Sequence, residues 1–285
     1  MIKYDPKHWF YIFTSKYSRE IFTKLSSAII YVALYTAILA FVFHYFEVSY
    51  DGTTAVHSIM GIVLGFFLVF RSNGAYDRWW EGRKTWGALV NNSRNMAMKF
   101  AVMVPKDHKH RQLITECISA YPKTLKEHLR NGVAEEDVLY LRSHLHLDMI
   151  GHIPNAIAKK LVWIANDLKK TGTIDEEQYR VLDDQIMALT DITGICERIK
   201  NTPIPFSYSL FMKKFIFVFL TTLPFAFLTT YGYWTIGIVL LLLYVLMSIE
   251  LLAEEIEDPF GSDINDLPTD ELSVKIEQNV RSIME

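Results

Sequence analysis

Apolar positions divide the chain into two kinds of segment. Residues 28–46, 54–70, 215–230 and 234–252 are almost unbroken in apolar side chains, with His44 as the ionisable interruption in the first. A bilayer core is about 30 Å thick and takes about 20 mostly apolar residues as a helix. The four segments reach or approach that length, and a soluble helix is rarely apolar on every face over such a distance. The pattern predicts four membrane-spanning helices in two pairs. The short turns inside the pairs, 47–53 and 231–233, carry no Lys or Arg. The flanks do: Lys16, Arg19 and Lys24 before the first span, Arg71, Arg78, Arg83 and Lys84 after the second, Lys213 and Lys214 before the third. Because positive residues stay inside, the chain is expected to be a multi-pass protein of the cell inner membrane, with both turns outside and both termini cytoplasmic. Tyr231, Tyr233 and Trp234 fit an interfacial aromatic belt.

About 140 residues lie between the second and third spans, too many for a simple loop. Their periodicity is helical. Helices are expected over 76–100, with Gly82 and Gly87 as weak points and Pro105 as its stop, and over 110–129, with Pro122 as a kink. A third, 134–150, opens on Glu135-Glu136-Asp137, suited to a helix N-terminus. The fourth, 154–170, has Pro154 near its first turn and Lys169-Lys170-Thr171-Gly172 as its stop. A fifth covers 175–199 before the break Asn201-Thr202-Pro203-Ile204-Pro205, and a polar helix, 270–284, ends the chain. No alternating strand pattern competes, so the fold class is all-α. The organisation expected is a cytosolic N-terminal segment 1–27, spans one and two 28–72, a helical cytosolic domain 73–212, spans three and four 213–252, and an acidic cytosolic tail with a terminal helix 253–285.

Composition adds little but excludes much. Of 285 residues 51% are hydrophobic and 14% aromatic, and the mean hydropathy of +0.14 lies between a wholly buried transporter and a soluble enzyme. The net charge of −3 and the lack of a basic stripe interleaved with aromatics argue against nucleic acid as a partner. Cys117 and Cys196 form no C-x-x-C pair and indicate neither zinc nor a redox motif. Met1-Ile2-Lys3-Tyr4-Asp5-Pro6 does not read as a signal peptide. His144 and His146, in the run His144-Leu145-His146-Leu147-Asp148, would point roughly 200° apart on a helix. No H-E-x-x-H, phosphate-binding glycine loop or G-x-S-x-G motif is present, so no enzymatic activity is expected. Glu250 is the one charge near a span end and is expected at the interface; a proton relay finds no support.

Span two carries the most distinctive pattern. Ile62, Phe66 and Phe70 are spaced by four and share a helix face. Gly61 and Gly65 form a small-residue stripe that suits close packing against a neighbour. Around an oligomer axis the three large side chains would form stacked apolar rings, a constriction that gates by dewetting. Alternatively they face lipid or pack between helices, as apolar stripes on spans ordinarily do. Below them, Asp77 and Glu81 are embedded in a basic run, which points to a salt-bridged helix. The tail offers carboxylates at Glu255, Asp258, Asp263 and Asp266, without the spacing of an EF-hand loop.

The run Phe70-Arg71-Ser72-Asn73-Gly74-Ala75-Tyr76-Asp77-Arg78-Trp79-Trp80-Glu81-Gly82-Arg83-Lys84-Thr85-Trp86-Gly87 resembles the bacterial branch of the bestrophin family. Glu255-Ile256-Glu257-Asp258-Pro259-Phe260-Gly261-Ser262-Asp263-Ile264-Asn265-Asp266-Leu267-Pro268 resembles that family's acidic segment after the last span. Together with the span layout the resemblance covers nearly the whole chain. It implies a homopentameric channel for monovalent ions in the lipid bilayer, most readily anions such as chloride, with Ile62, Phe66 and Phe70 as the pore neck. It also implies a lower cytosolic aperture, which the register puts at Arg180 with Val181 next; a ring of arginines there would repel cations. No cofactor is required, and calcium is admitted as a ligand of Glu255, Asp258, Asp263 and Asp266, although Ile264 and Asn265 replace two aspartates of the animal pattern. Two other readings stand beside this one: a monovalent cation channel of the same fold, and a membrane scaffold whose cytosolic helices bind a soluble partner. Phenylalanine edges favour anions and ring faces favour cations.

Overall fold

In a computed structural model, residues 15–48, 54–147 and 151–285 are described. The reading of Met1–Pro6, most of the first turn, Asp148 and the end of the expected helix 134–150 fall outside them. Among the described residues the secondary structure is entirely helical: α1 Lys16–Tyr45, α2 Thr54–Met103, α3 Arg111–Leu129, α4 Glu135–Leu145, α5 Ile153–Lys170, α6 Glu176–Asn201, α7 Phe206–Tyr231, α8 Trp234–Glu257 and α9 Thr269–Met284. Four of them, α1, α2, α7 and α8, are long and apolar enough to cross a membrane.

The largest departure from the expected elements is α2. Span two and the helix expected at 76–100 are one continuous helix of 50 residues, about 75 Å long at ~1.5 Å per residue. Gly74, Gly82 and Gly87 do not interrupt it, because an isolated glycine costs only about 1 kcal/mol of helix propensity and no proline falls between Thr54 and Met103. Polar character changes along α2 while its backbone does not. At the other extreme, α4 stops at Leu145, short of the expected end, since His146 takes a left-handed conformation with φ 53°.

The chain divides into two compact units, residues 2–78 with 203–257 and residues 79–202 with 258–285. In the first, α1 packs on α7 and α8, and α7 on α8. Leu64 and Leu68 of α2 join Met212, Ile216, Phe219, Leu220 and Leu223 of α7 and Val239 and Leu243 of α8 in its core. Pro224 lies inside α7. It has no N–H to offer the carbonyl of Leu220, and the neighbouring carbonyl of Thr221 accepts the Tyr35 hydroxyl at 2.9 Å. The turn into α8 is made by Gly232 at φ 49°.

The second unit has its own core, built from Trp86, Leu89, Met96 and Phe100 of α2, Ile114, Tyr121 and Leu125 of α3, Ile157 and Leu161 of α5, Leu182, Ile186 and Leu189 of α6, and Ile276 and Val280 of α9. Local signals hold the ends of these helices. Asp175 and Gln178 form a reciprocal capping box at the start of α6. Arg111 is buried and donates to the carbonyls of Ala101 and Val104 at the end of α2 and of Met284 at the end of α9, at 2.9, 2.5 and 2.9 Å, so one guanidinium closes two helix C-termini. Cys117 and Cys196 are free thiols in this core, and burial pushes both up to about 12.

Candidate functional site

One side of α2 in the first unit is spent on the core. Leu64, Leu68, Arg71 and Ala75 are buried at spacings of four, three and four. At ~100° per residue, Ile62, Phe66 and Phe70 point to the opposite side of the helix, drifting ~40° from one to the next. They are 61%, 63% and 67% exposed. These are large apolar side chains that the fold of a single chain leaves uncovered. Gly61 faces the ring of Phe219, where an added Cβ would sit 3.6 Å away, whereas Gly65 has open space. Within the chain, therefore, only the first glycine of the expected stripe lies against a neighbouring helix.

Immediately after Phe70 is a group whose pairing the sequence did not announce. Arg71 was counted among the positive flank residues and Glu250 was expected at the interface, neither with a named partner. Arg71 is 1% exposed and Glu250 4%. The Arg71 Nη2 lies 2.7 Å from Oε2 of Glu257, and its Nε lies 3.5 Å from Oε1 of Glu250. Glu257 also accepts the backbone N–H of Ile204 at 2.7 Å, and its own carbonyl accepts from Arg78 at 3.0 Å. The physical reason is the heptad-like spacing above: position 71 falls on the core stripe, and a charge buried there needs a partner. A lone Glu in an apolar span was the available signal, because such a charge almost always pairs with another.

In the second unit the two sequence signatures meet, nearly 180 residues apart. The indole N–H of Trp79 donates to the carbonyl of Asn265 at 2.9 Å. Phe260 and Leu267 are buried and lie on Gly82, where an added Cβ would come within 3.2 Å of both. Arg130 donates to the carbonyl of Phe260 at 3.1 Å, and Lys200 pairs with Asp258 at 2.5 Å. The glycine that seemed a weak point of the helix is the seat of the tail. Glu81 pairs with Arg198 at 2.5 Å, so its partner comes from α6 rather than from its own basic run.

Calcium takes six to eight oxygens. Within the chain the acidic positions are engaged in part, and Oδ1 of Asp258 is buried with no hydrogen-bond partner among the described residues. Glu255 is held by Lys24 at 3.2 Å in the first unit. In the second, Asp258 is held by Lys200, and Oδ2 of Asp266 accepts the backbone N–H of Asp263 at 2.6 Å, capping its own turn. A Cβ at Gly261 would lie 2.7 Å from that oxygen, so a larger residue there would displace the cap. Among the described residues the one converging group of three metal-ligating side chains is elsewhere, at His128, His152 and Glu197. Arg180 is 66% exposed on α6 and lies 3.9 Å from Glu176 and 3.8 Å from Glu177. Val181 is 38% exposed.

Comparison with known proteins agrees with this architecture. The family model described as "Bacterial/Fungal Bestrophin protein" matches residues 1–282. A protein of Nostoc sp. named as a voltage-dependent anion channel-forming protein is 32% identical over 284 residues, covering 96% of this chain and 91% of its own. An Escherichia coli protein of the same name is 30% identical, covering 97% of this chain and 92% of its own. A mutant crystal structure of a bacterial bestrophin homolog from Klebsiella pneumoniae superposes with a TM-score of 0.82 at 28% identity, covering 91% of this chain and 98% of that one. With the four apolar helices, the buried stripe of α2 and the match along almost its whole length, this chain belongs to the bacterial branch of the bestrophin family and is an integral membrane protein.

Proposed function

We propose that the protein is a channel for monovalent anions such as chloride, formed by five copies around one axis in the cell inner membrane, with both termini in the cytoplasm. The observation that carries this reading is the uncovered row Ile62, Phe66 and Phe70, set opposite the core side of α2 in a chain whose relatives are named as anion channel-forming proteins. Around a five-fold axis each residue becomes a ring of five apolar side chains. A narrow apolar ring holds water poorly, so the neck closes by dewetting and opens when it widens. Arg180 is the candidate for a cytosolic aperture, where exposed guanidinium groups would enrich anions; the neighbouring glutamates reduce that effect and salt screens it.

The test is a reversal potential with purified protein in a planar bilayer under asymmetric potassium chloride. An anion channel gives a shift toward the chloride equilibrium potential. Phe66→Ala and Phe70→Ala are expected to raise the fraction of time the channel conducts, without changing the sign of that shift. A shift toward potassium would overturn the anion assignment and keep the channel. No current across pH and calcium concentrations would overturn the channel itself, and unaltered currents in both alanine variants would overturn the neck.

A further inference from the structure

We propose that His128, His152 and Glu197 form a binding site for a borderline-soft divalent transition-metal ion of the Zn2+ class. The three come from separate elements of the second unit. His128 stands in the last turn of α3, His152 is the N-cap of α5, and Glu197 lies near the end of α6. The Nε2 atoms of both histidines lie 2.7 Å from the same Oε1 of Glu197. The imidazole centroids are 4.3 Å apart, and one ligating atom from each residue lies within 4.8 Å of the others. A tetrahedral ion with bonds of ~2.0–2.1 Å sets its donors ~3.3–3.4 Å apart. The two Nε2–Oε1 distances of 2.7 Å need to open by ~0.6–0.7 Å to reach that spacing.

Two imidazoles and one carboxylate are the donor chemistry of a zinc-type ion rather than of calcium or magnesium, which take oxygen. Three protein ligands leave a fourth position open, and there is room for it. Each side chain is about three-tenths exposed, and His128 lines a cavity of about 430 Å³ together with Glu135, Gly151 and Ile153. Water can fill the fourth position.

The competing arrangement is a carboxylate bridging two neutral imidazoles. It requires an Nε2–H on each ring. His152 meets that requirement because its Nδ1 accepts the backbone N–H of Asn155 at 3.2 Å, which leaves the proton on Nε2. Binding a metal at Nε2 moves that proton to Nδ1 and gives up this cap. One N-cap hydrogen bond is a small loss beside the binding energy of a structural metal. The ring proton shifts within each imidazole rather than leaving, so uptake by the neutral rings releases no proton. Binding still weakens as pH falls, because the ligands must be unprotonated at the metal. Bound, it ties α3, α5 and α6 together at one point. The inference is independent of the ion that crosses the membrane.

The experiment uses the purified full-length protein, stripped of metal by chelator and titrated with zinc chloride by calorimetry, with cobalt chloride as a spectroscopic probe. One ion per subunit and a visible Co2+ band of tetrahedral intensity are expected. His152→Asn retains a good N-cap residue while deleting the imidazole, and Glu197→Gln keeps the side-chain shape. Each is expected to weaken Zn2+ binding by ~100-fold or more, beyond the ~10–100-fold typical of residues that only orient ligands. Circular dichroism of the two variants establishes that both are folded. Zinc affinity unchanged in both variants, or wild-type protein that takes up no zinc, would overturn the site.

Discussion

Arg71 is the residue whose loss the fold should tolerate least, and its two carboxylate partners should not be equivalent. The guanidinium makes a direct bridge to Glu257 at 2.7 Å, but its approach to Glu250 is 3.5 Å, too long for a well-formed hydrogen bond. Among the described residues neither oxygen of Glu250 has a hydrogen-bond partner. Arg71→Met removes the cation that directly contacts two carboxylates, one buried (Glu250) and one half-buried (Glu257). Leaving a buried charge without its partner costs about 3–5 kcal/mol, and the upper end is expected because two acids are stranded together. Glu250→Gln is a different perturbation. It keeps shape, forfeits the long contact, and brings the group from one cation and two anions to one of each. Its expected cost is below about 1 kcal/mol, within the range of a single net hydrogen bond. The double variant Arg71→Met with Glu250→Leu should be less destabilised than Arg71→Met alone, since it strands one acid rather than two. The assay is unfolding by sodium dodecyl sulfate in mixed micelles, followed by circular dichroism, for the wild type and the three variants. Equal destabilisation by Glu250→Gln and Arg71→Met would refute the reasoning, because it would make Glu250 the principal partner despite its distance.

Gly82→Val should destabilise the second unit by about 1–3 kcal/mol through overpacking, since even a Cβ comes within 3.2 Å of Phe260 and Leu267; protease cutting of the 258–268 segment should increase, and unchanged cutting would contradict the close seat. Tyr121→Phe should cost about 1–2 kcal/mol, measured by thermal melting, because the hydroxyl joins Thr193 at 2.7 Å and the Leu189 carbonyl at 2.9 Å in a buried setting. Arg130 and then Lys126 hold the Asp270 carboxyl at about 2, below its usual 3.8. The native state therefore binds this proton less readily than the unfolded chain. The stabilisation is complete above the usual aspartate range and is lost as pH falls through about 2. With the side chain 61% exposed the effect is small, and Asp270→Asn should flatten only that low-pH limb of a stability profile.

The sequence was most legible where a local rule acts alone. The apolar runs marked all four membrane-crossing helices, and proline and glycine marked the break before α7 and the end of α5. The capping box at Asp175 and Gln178 is likewise a short-range device. Boundaries failed where polarity and backbone part company. The expected gap near 71–75 does not exist, because a helix can pass from an apolar to a charged surrounding without a break in its hydrogen bonds.

For the candidate site the division is similar. The four-residue spacing of Ile62, Phe66 and Phe70 put them on one face in any helix, so their grouping was fixed by sequence alone. Which face of α2 is core and which is left open depended on Leu64 and Leu68 meeting α7 and α8, and that is a tertiary fact. The same rotation buried Arg71 and paired it with Glu250 and Glu257, on a helix near the other end of the chain, which no flank-charge rule anticipates. Packing engages part of the acidic tail, through Lys24, Lys200 and a backbone N–H, and those partners come from elements distant in sequence or from the turn itself. The trio of His128, His152 and Glu197 has no shared motif spacing, since each ligand sits on a different helix. Local periodicity determines which residues share a surface, whereas only the assembled chain determines what that surface meets, because contacts across distant helices depend on the rotation of each helix about its own axis.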